Sequence, residues 1–246
     1  MSLCQHAFIN LLEWGTVSLQ AGTADDSYPL TRLYDRNIGR EFRTTAAVTT
    51  AIQIDQGSSG SGSIDRLLVP PGHNLNGMTL DVRYSDNGSA WSYASQWTGA
   101  AGLINQSWVT AVHRYWRFVI TSPASIPRIP ELFFTSTQAW TRNPSRPSGD
   151  IDPTFNVKRE ETAGGQSRFL VMGAARRHRA YRVERCSASM ATSILTLNDY
   201  WAGSSPFWFC DPDGNWIFGE LLSPIRMREV SYGVYSFEFD FQEVLA

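Results

Sequence analysis

Apolar and polar residues alternate with period two through much of this chain, and that period belongs to half-buried β-strands. The clearest case is Tyr235–Gln242. There Tyr235, Phe237, Phe239 and Phe241 fall on one face, and Ser236, Glu238, Asp240 and Gln242 on the other. Thr79–Tyr84 repeats the pattern, with Leu80, Val82 and Tyr84 opposed to Asp81 and Arg83. Ala51–Asp55, Ile64–Val69, Trp108–Val112, Arg114–Ile120 and Glu131–Thr135 read as further strands. Turn residues separate them: Pro70-Pro71-Gly72, and Ser85-Asp86-Asn87-Gly88 with its Asn-Gly hairpin signal. Gly57–Ser63 is a flexible loop, since strand pattern resumes directly after it. Residues 1–50 read as loops and short strands. Short strands at regular spacing, joined by turn chemistry, predict a β-sandwich or jelly roll over residues 1–139.

The second part of the chain reads differently. Trp140–Pro153 is rich in Pro, Ser and Arg without periodicity and reads as a semi-rigid linker. Residues 154–246 then form a small α+β unit. Phe155–Arg159 and Gln166–Met172 are strands about a Gly164-Gly165 turn, and Ala180–Cys186 is another. Ser189–Trp201 is the one helix, because Met190, Ile194, Leu197 and Trp201 share a face. Aromatic runs Phe207–Phe209 and Trp216–Phe218 flank Asp211-Pro212-Asp213-Gly214, a hairpin in which Gly214 supplies the positive φ. The helix covers the aromatic face of Tyr235–Gln242. The hairpin tip and the sheet edges are left as interface candidates: Phe207, Trp208, Asp211, Asp213 and Trp216.

Composition narrows the chemistry. A formal net charge of −2 over 246 residues gives no electrostatic reason to bind nucleic acid or an acidic membrane surface. No stretch is long and apolar enough for a membrane span, and the N-terminus lacks the pattern of a signal peptide. Cys4, Cys186 and Cys210 are odd in number and widely spaced, which argues against a disulfide framework or a zinc site. His6, His73, His113 and His178 are too scattered to predict a metal site. Neither a G-x-S-x-G, a HExxH, a Walker loop nor a GxGxxG occurs, so no enzyme and no cofactor is expected. Asp211 and Asp213 are explained by the turn rather than by metal ligation. Lys158 is the only lysine; the remaining basic residues are arginines, which suit planar, bidentate pairs. Arg176, Arg177 and Arg179 lie in a basic cluster with three readings: a solvated loop, a phosphate patch, or partners for acids of a neighbouring subunit such as Glu160, Glu161 or Asp199. Among the tryptophans, Trp91 reads as core. Trp97, in a Gly/Ala/Ser-rich stretch, reads as the better glycan-stacking platform, and Trp140 as either.

Two resemblances add to this. Gln53–Gly57, Ile64–Val69, Gly72–Leu75, Leu80–Trp91 and Arg114–Thr121, preceded by Leu33–Asn37 and Phe42, follow one another in an order that resembles the discoidin, or galactose-binding-like, family. That resemblance implies a jelly-roll sandwich, a loop hydrogen bond from His73, and the option of a host-surface glycan as ligand. Ser205–Phe209, Asp211–Trp216, Gly219–Leu222 and Tyr235–Val244 resemble phage distal tail and minor tail proteins. This implies a tail-tube-like unit that assembles into a ring, often a hexamer, at the tail tip of a virion. Its partners would then be further copies of itself, the tail tube protein, and hub or fibre proteins. The domain order departs from that family, in which the ring-forming unit usually comes first. The main expectation is therefore a structural virion protein; the alternative is a carbohydrate-binding module.

Overall fold

The structure is a computed structural model that describes residues 3–58, 62–121, 123–145, 152–154, 157–161, 167–171, 176–201 and 205–244, with backbone alone for 152–177 and 201. It is mainly β, as the alternation predicts, and divides into two compact units. One comprises Met1–His6 and Gln138–Leu245, the other Ala7–Thr137.

The chain begins in the first of these with β1 (Gln5–Ala7) and then passes into the second. There Asn10, extended, caps the short helix α1 (Leu11–Trp14) by accepting from Leu12 N at 3.3 Å. The strands that follow are β2 (Thr16–Ala21), β3 (Phe42–Arg43), β4 (Thr50–Asp55), β5 (Ser63–Val69), β6 (Thr79–Ser85), β7 (Ser92–Thr98), β8 (Ile104–Val112), β9 (Tyr115–Thr121), β10 (Arg128–Ile129) and β11 (Phe133–Thr135). They form an antiparallel five-stranded sheet in the order β2-β4-β9-β6-β7 and an antiparallel three-stranded sheet β11-β5-β8. One core lies between them. Ile52, Ile54, Leu80, Val82, Trp116 and Phe118 come from the larger sheet, and Ile64, Leu67, Val69, Ile104 and Phe134 from the smaller. Most sit at alternating inward positions of their strands, and on β5 a register irregularity between Ile64 and Arg66 brings both Ile64 and Leu67 inward, where strict alternation would part them.

The chain re-enters the first unit through β12 (Gln138–Ala139), which pairs with β1 so that His6 faces Gln138 and Gln5 faces Ala139. Then follow β13 (Asp152–Thr154), β14 (Val157–Glu161), β15 (Ser167–Val171), β16 (Arg176–Ser187), helix α2 (Ala188–Trp201), β17 (Phe207–Cys210), β18 (Trp216–Leu221), β19 (Arg226–Ser231) and β20 (Val234–Glu243). The main sheet runs β12-β1-β17-β18-β20-β16-β13, with β19 also on β20, and β14 and β15 pair antiparallel in a separate two-stranded sheet. On β20 the side chains of Phe237, Phe239 and Phe241 are buried, and Met190, Ile194 and Leu197 of α2 are buried as well.

Two expectations change here. The sandwich does not take the first six residues, because β1 is bonded between β12 and β17. Residues 140–145 are not a linker either. Trp140 is buried, with its ring 5.3 Å from that of Phe209 and 5.5 Å from that of Phe237. Its backbone N–H donates to Cys4 O at 2.9 Å, and Ser145 N donates to Arg182 O at 2.8 Å. An indole of this size is worth more inside a sheet–helix core than in a hydrated tether. Residues 146–151 of the expected linker lie outside the described residues.

Candidate functional site

The hairpin of β17 and β18 forms as the turn chemistry predicts, with Phe207 facing Gly219 and Cys210 facing Trp216. Gly214 has φ of 89° at its tip. Its side chains do not form the expected contact surface. Phe207 and Trp208 are buried within the unit, Phe207 at 5.3 Å from Phe241 and Trp208 at 5.1 Å from Phe218. Phe207–Cys210 is an unbroken apolar run, the pattern of a strand buried on both faces. Asp211 is also fully buried and organises the turn. Its Oδ1 accepts from Asp213 N at 3.0 Å and from Asn215 N at 2.9 Å, and its Oδ2 accepts from Arg179 Nη1 at 2.7 Å. Arg179 therefore pairs with an acid of its own chain, not with one offered by a neighbouring subunit. Asp213 stays exposed and Trp216 half-buried. Arg176 and Arg177 lie on β16 opposite Thr154 and Pro153, in a strand where a loop was a candidate; their side chains are outside the described residues.

In the sandwich, Trp97 is on β7, not in a loop. It faces Leu80 and packs against the core, with its ring 6.3 Å from Phe118. It is half-buried. His73 makes the loop bonds that the resemblance implies: Leu75 N donates to Nδ1 at 3.1 Å, and Nε2 is 2.6 Å from Gly102 O. The three cysteines are buried free thiols, and burial pushes the Cys4 thiol well up from its ordinary value. Among the described residues, no three of His, Cys, Asp and Glu lie together as a metal site would require, and no helix is long and apolar enough to cross a membrane.

A different surface gathers recognition chemistry: the outer face of the five-stranded sheet. Ser18, Gln53, Arg117, Arg83 and Tyr93 are register partners in one row that crosses all five strands. Arg83 is held bidentately by Asp81, Nε to Oδ1 at 2.6 Å and Nη2 to Oδ2 at 3.0 Å. That carboxylate raises the Arg83 pKa. The Arg83 guanidinium lies 4.7 Å from the ring centre of Tyr93, and Arg117 lies 3.8 Å from that of Trp91. Beside the row, Arg114 forks onto Asp55 at 2.9 and 3.0 Å and sits 4.7 Å from Tyr115. The hydrogen bond from Arg114 lowers the Asp55 pKa. Alternation in Thr79–Tyr84 already turns Arg83 away from the core, whereas Arg117 is legible only as part of the strand Arg114–Ile120. That they face each other is a matter of register, which a single sequence does not carry.

No known protein family matches the chain, and no characterised protein matches it in sequence. Solved structures do match in part. A chitosan-binding module of a chitosanase/glucanase from Paenibacillus sp. IK-5 is 15% identical, over 52% of this chain and 100% of that one, with a TM-score of 0.45. The module CpGH89CBM32-5 of Clostridium perfringens, in complex with GalNAc-β-1,3-galactose, is 14% identical, over 49% of this chain and 94% of that one, with a TM-score of 0.42. A GH29 fucosidase of Ruminococcus gnavus, in complex with fucose, is 16% identical, over 53% of this chain but only 27% of its own length, with a TM-score of 0.46.

Proposed function

We propose that this chain is a non-enzymatic binding protein whose inserted sandwich recognises a host-surface glycan, with the unit of Met1–His6 and Gln138–Leu245 as its anchor. One observation carries this: the row Ser18–Gln53–Arg117–Arg83–Tyr93 with Trp91 beside it. A sugar presents hydroxyls that need fixed planar donors and acceptors, and C–H faces that need aromatic rings. This face supplies both on rigid neighbouring strands. The test is a glycan array probed with the full chain, followed by Tyr93→Ala and Trp91→Ala on any hit. Saturable binding that falls about tenfold or more in either variant is expected, since one stacked aromatic ring is worth about 1–3 kcal/mol. A blank array sinks the reading.

A second reading, a structural ring at a phage tail tip, is favoured by a separate observation in the anchor unit. The β19–β20 hairpin ends in a fully exposed Tyr232, with Val230 exposed next to it. An unpaired aromatic at a protruding tip suits contact with further copies, with a tube protein, or with hub and fibre proteins. Sedimentation of the chain at high concentration, alone and with tube protein, tests this; a strict monomer in both mixtures counts against it.

A further inference from the structure

The charges on the outer sheet face do not balance. Arg83 and Arg117 are opposite one another on β6 and β9. Like charges in that relation repel. Asp81 is spent on Arg83, and among the described residues no carboxylate pairs with Arg117. Its one hydrogen bond there runs from Nη2 to Gln53 Oε1 at 2.6 Å, while its Nε is buried without a partner. Burial and the nearby Arg83 both lower the Arg117 pKa, so the site carries an uncompensated cation at a cost. The indole of Trp91 fixes the guanidinium plane. A cation held flat, half-desolvated and short of acceptors is prepared for a planar anion that can take two N–H bonds at once.

Resting on the glycan reading above, we infer that Arg117, with Arg83 beside it, binds the carboxylate of an acidic saccharide, its ring lying towards Tyr93. The carboxylate accepts from Arg117 and neutralises the excess charge. The Gln53 amide N–H₂ remains as a donor to a ring hydroxyl. Tyr93, more than half exposed, gives the sugar face an aromatic neighbour.

The experiment uses the full chain and two probes, an oligogalacturonate and the galactose oligomer obtained by reducing its carboxyl groups, titrated by calorimetry. The acidic probe is expected to bind about tenfold or more tightly than the neutral one, the worth of one charge-assisted pair of hydrogen bonds. Raising the salt should erode that preference. Arg117→Gln should bring the acid-to-neutral ratio close to one. Arg117→Lys, with the charge kept but the fork lost, should restore only part of it. The salt titration needs no variant, so it decides even if the substitutions unfold the sandwich. Equal binding of both probes by the wild-type chain overturns this inference and leaves the glycan reading standing. Binding of neither probe, with or without binding of a polyglutamate peptide, overturns this inference, and the glycan array decides the broader reading separately.

Discussion

A single buried histidine links the first residues of the chain to its second half. His6 is fully buried, and its Nδ1 accepts from Trp140 Nε1 at 2.8 Å. That bond requires Nδ1 to be unprotonated, so the ring is neutral and carries its proton on Nε2. A charged imidazolium would set two donors against each other inside a dry core. Burial lowers the His6 pKa to about 4. The folded value lies below the unfolded one, near 6.5, so stability is fully present above that value and is lost as pH falls towards 4. The full loss is about 3 kcal/mol. Urea unfolding followed by tryptophan fluorescence at pH 7 and pH 4.5 checks this. His6→Gln, which can still accept from the indole but does not titrate, should flatten the difference. An unchanged pH slope in that variant would show that another group is responsible.

At the scale of elements, the hairpin of β17 and β18 shows what the sequence carries and what it omits. Asp211–Gly214 was legible as a turn because its residue types have local conformational reasons to be there. The face-sorting of Tyr235–Gln242 was legible for the same kind of reason, since alternation is a property of the strand itself. The role of Asp211 was not legible. It depends on Arg179 arriving from β16, thirty-two residues earlier in the chain. Trp208 was misread as surface because aromatic residues in a run suit an interface and a doubly buried strand equally well. In the sandwich, Arg117 was legible only as part of the strand Arg114–Ile120; that no carboxylate among the described residues pairs with it follows from register. The two aspartates of the turn should therefore behave differently. Asp211→Ala strips a buried guanidinium of its partner and should cost about 3–5 kcal/mol. Asp213→Ala, at an exposed position, should stay within about 0.5 kcal/mol of wild type. Denaturant unfolding of both variants measures this, and equal effects would deny Asp211 its organising role.

At the scale of the whole chain, the sandwich is an insertion in sequence between two segments of the other unit. The sandwich leaves the anchor unit after His6 and rejoins it at Gln138, and these two residues face each other on paired strands. Register partners in an antiparallel pair are about 5 Å apart, so a two-residue turn can close the gap. Neither Cys4–Ala7 nor Gln138–Ala139 has the length or alternation to announce a strand, which is why a conventional boundary near residue 139 looked natural from sequence. The insertion makes a sharp prediction. Replacing residues 7–137 by Asn-Gly should yield a folded anchor unit that unfolds in one cooperative step, with Trp140 emission still blue-shifted. A fragment of residues 138–246 alone lacks β1, which lies between β12 and β17, and lacks the acceptor for Trp140. It should be markedly less stable or fail to fold. If that fragment proves as stable as the version that retains residues 1–6, the first strand is not integral and the insertion is only apparent. The excised anchor also separates the two functional readings. Ring formation by the excised protein would assign assembly to the anchor alone, and glycan capture should vanish with the sandwich. An excised anchor that stays monomeric with tube protein leaves the ring without support at any concentration tested.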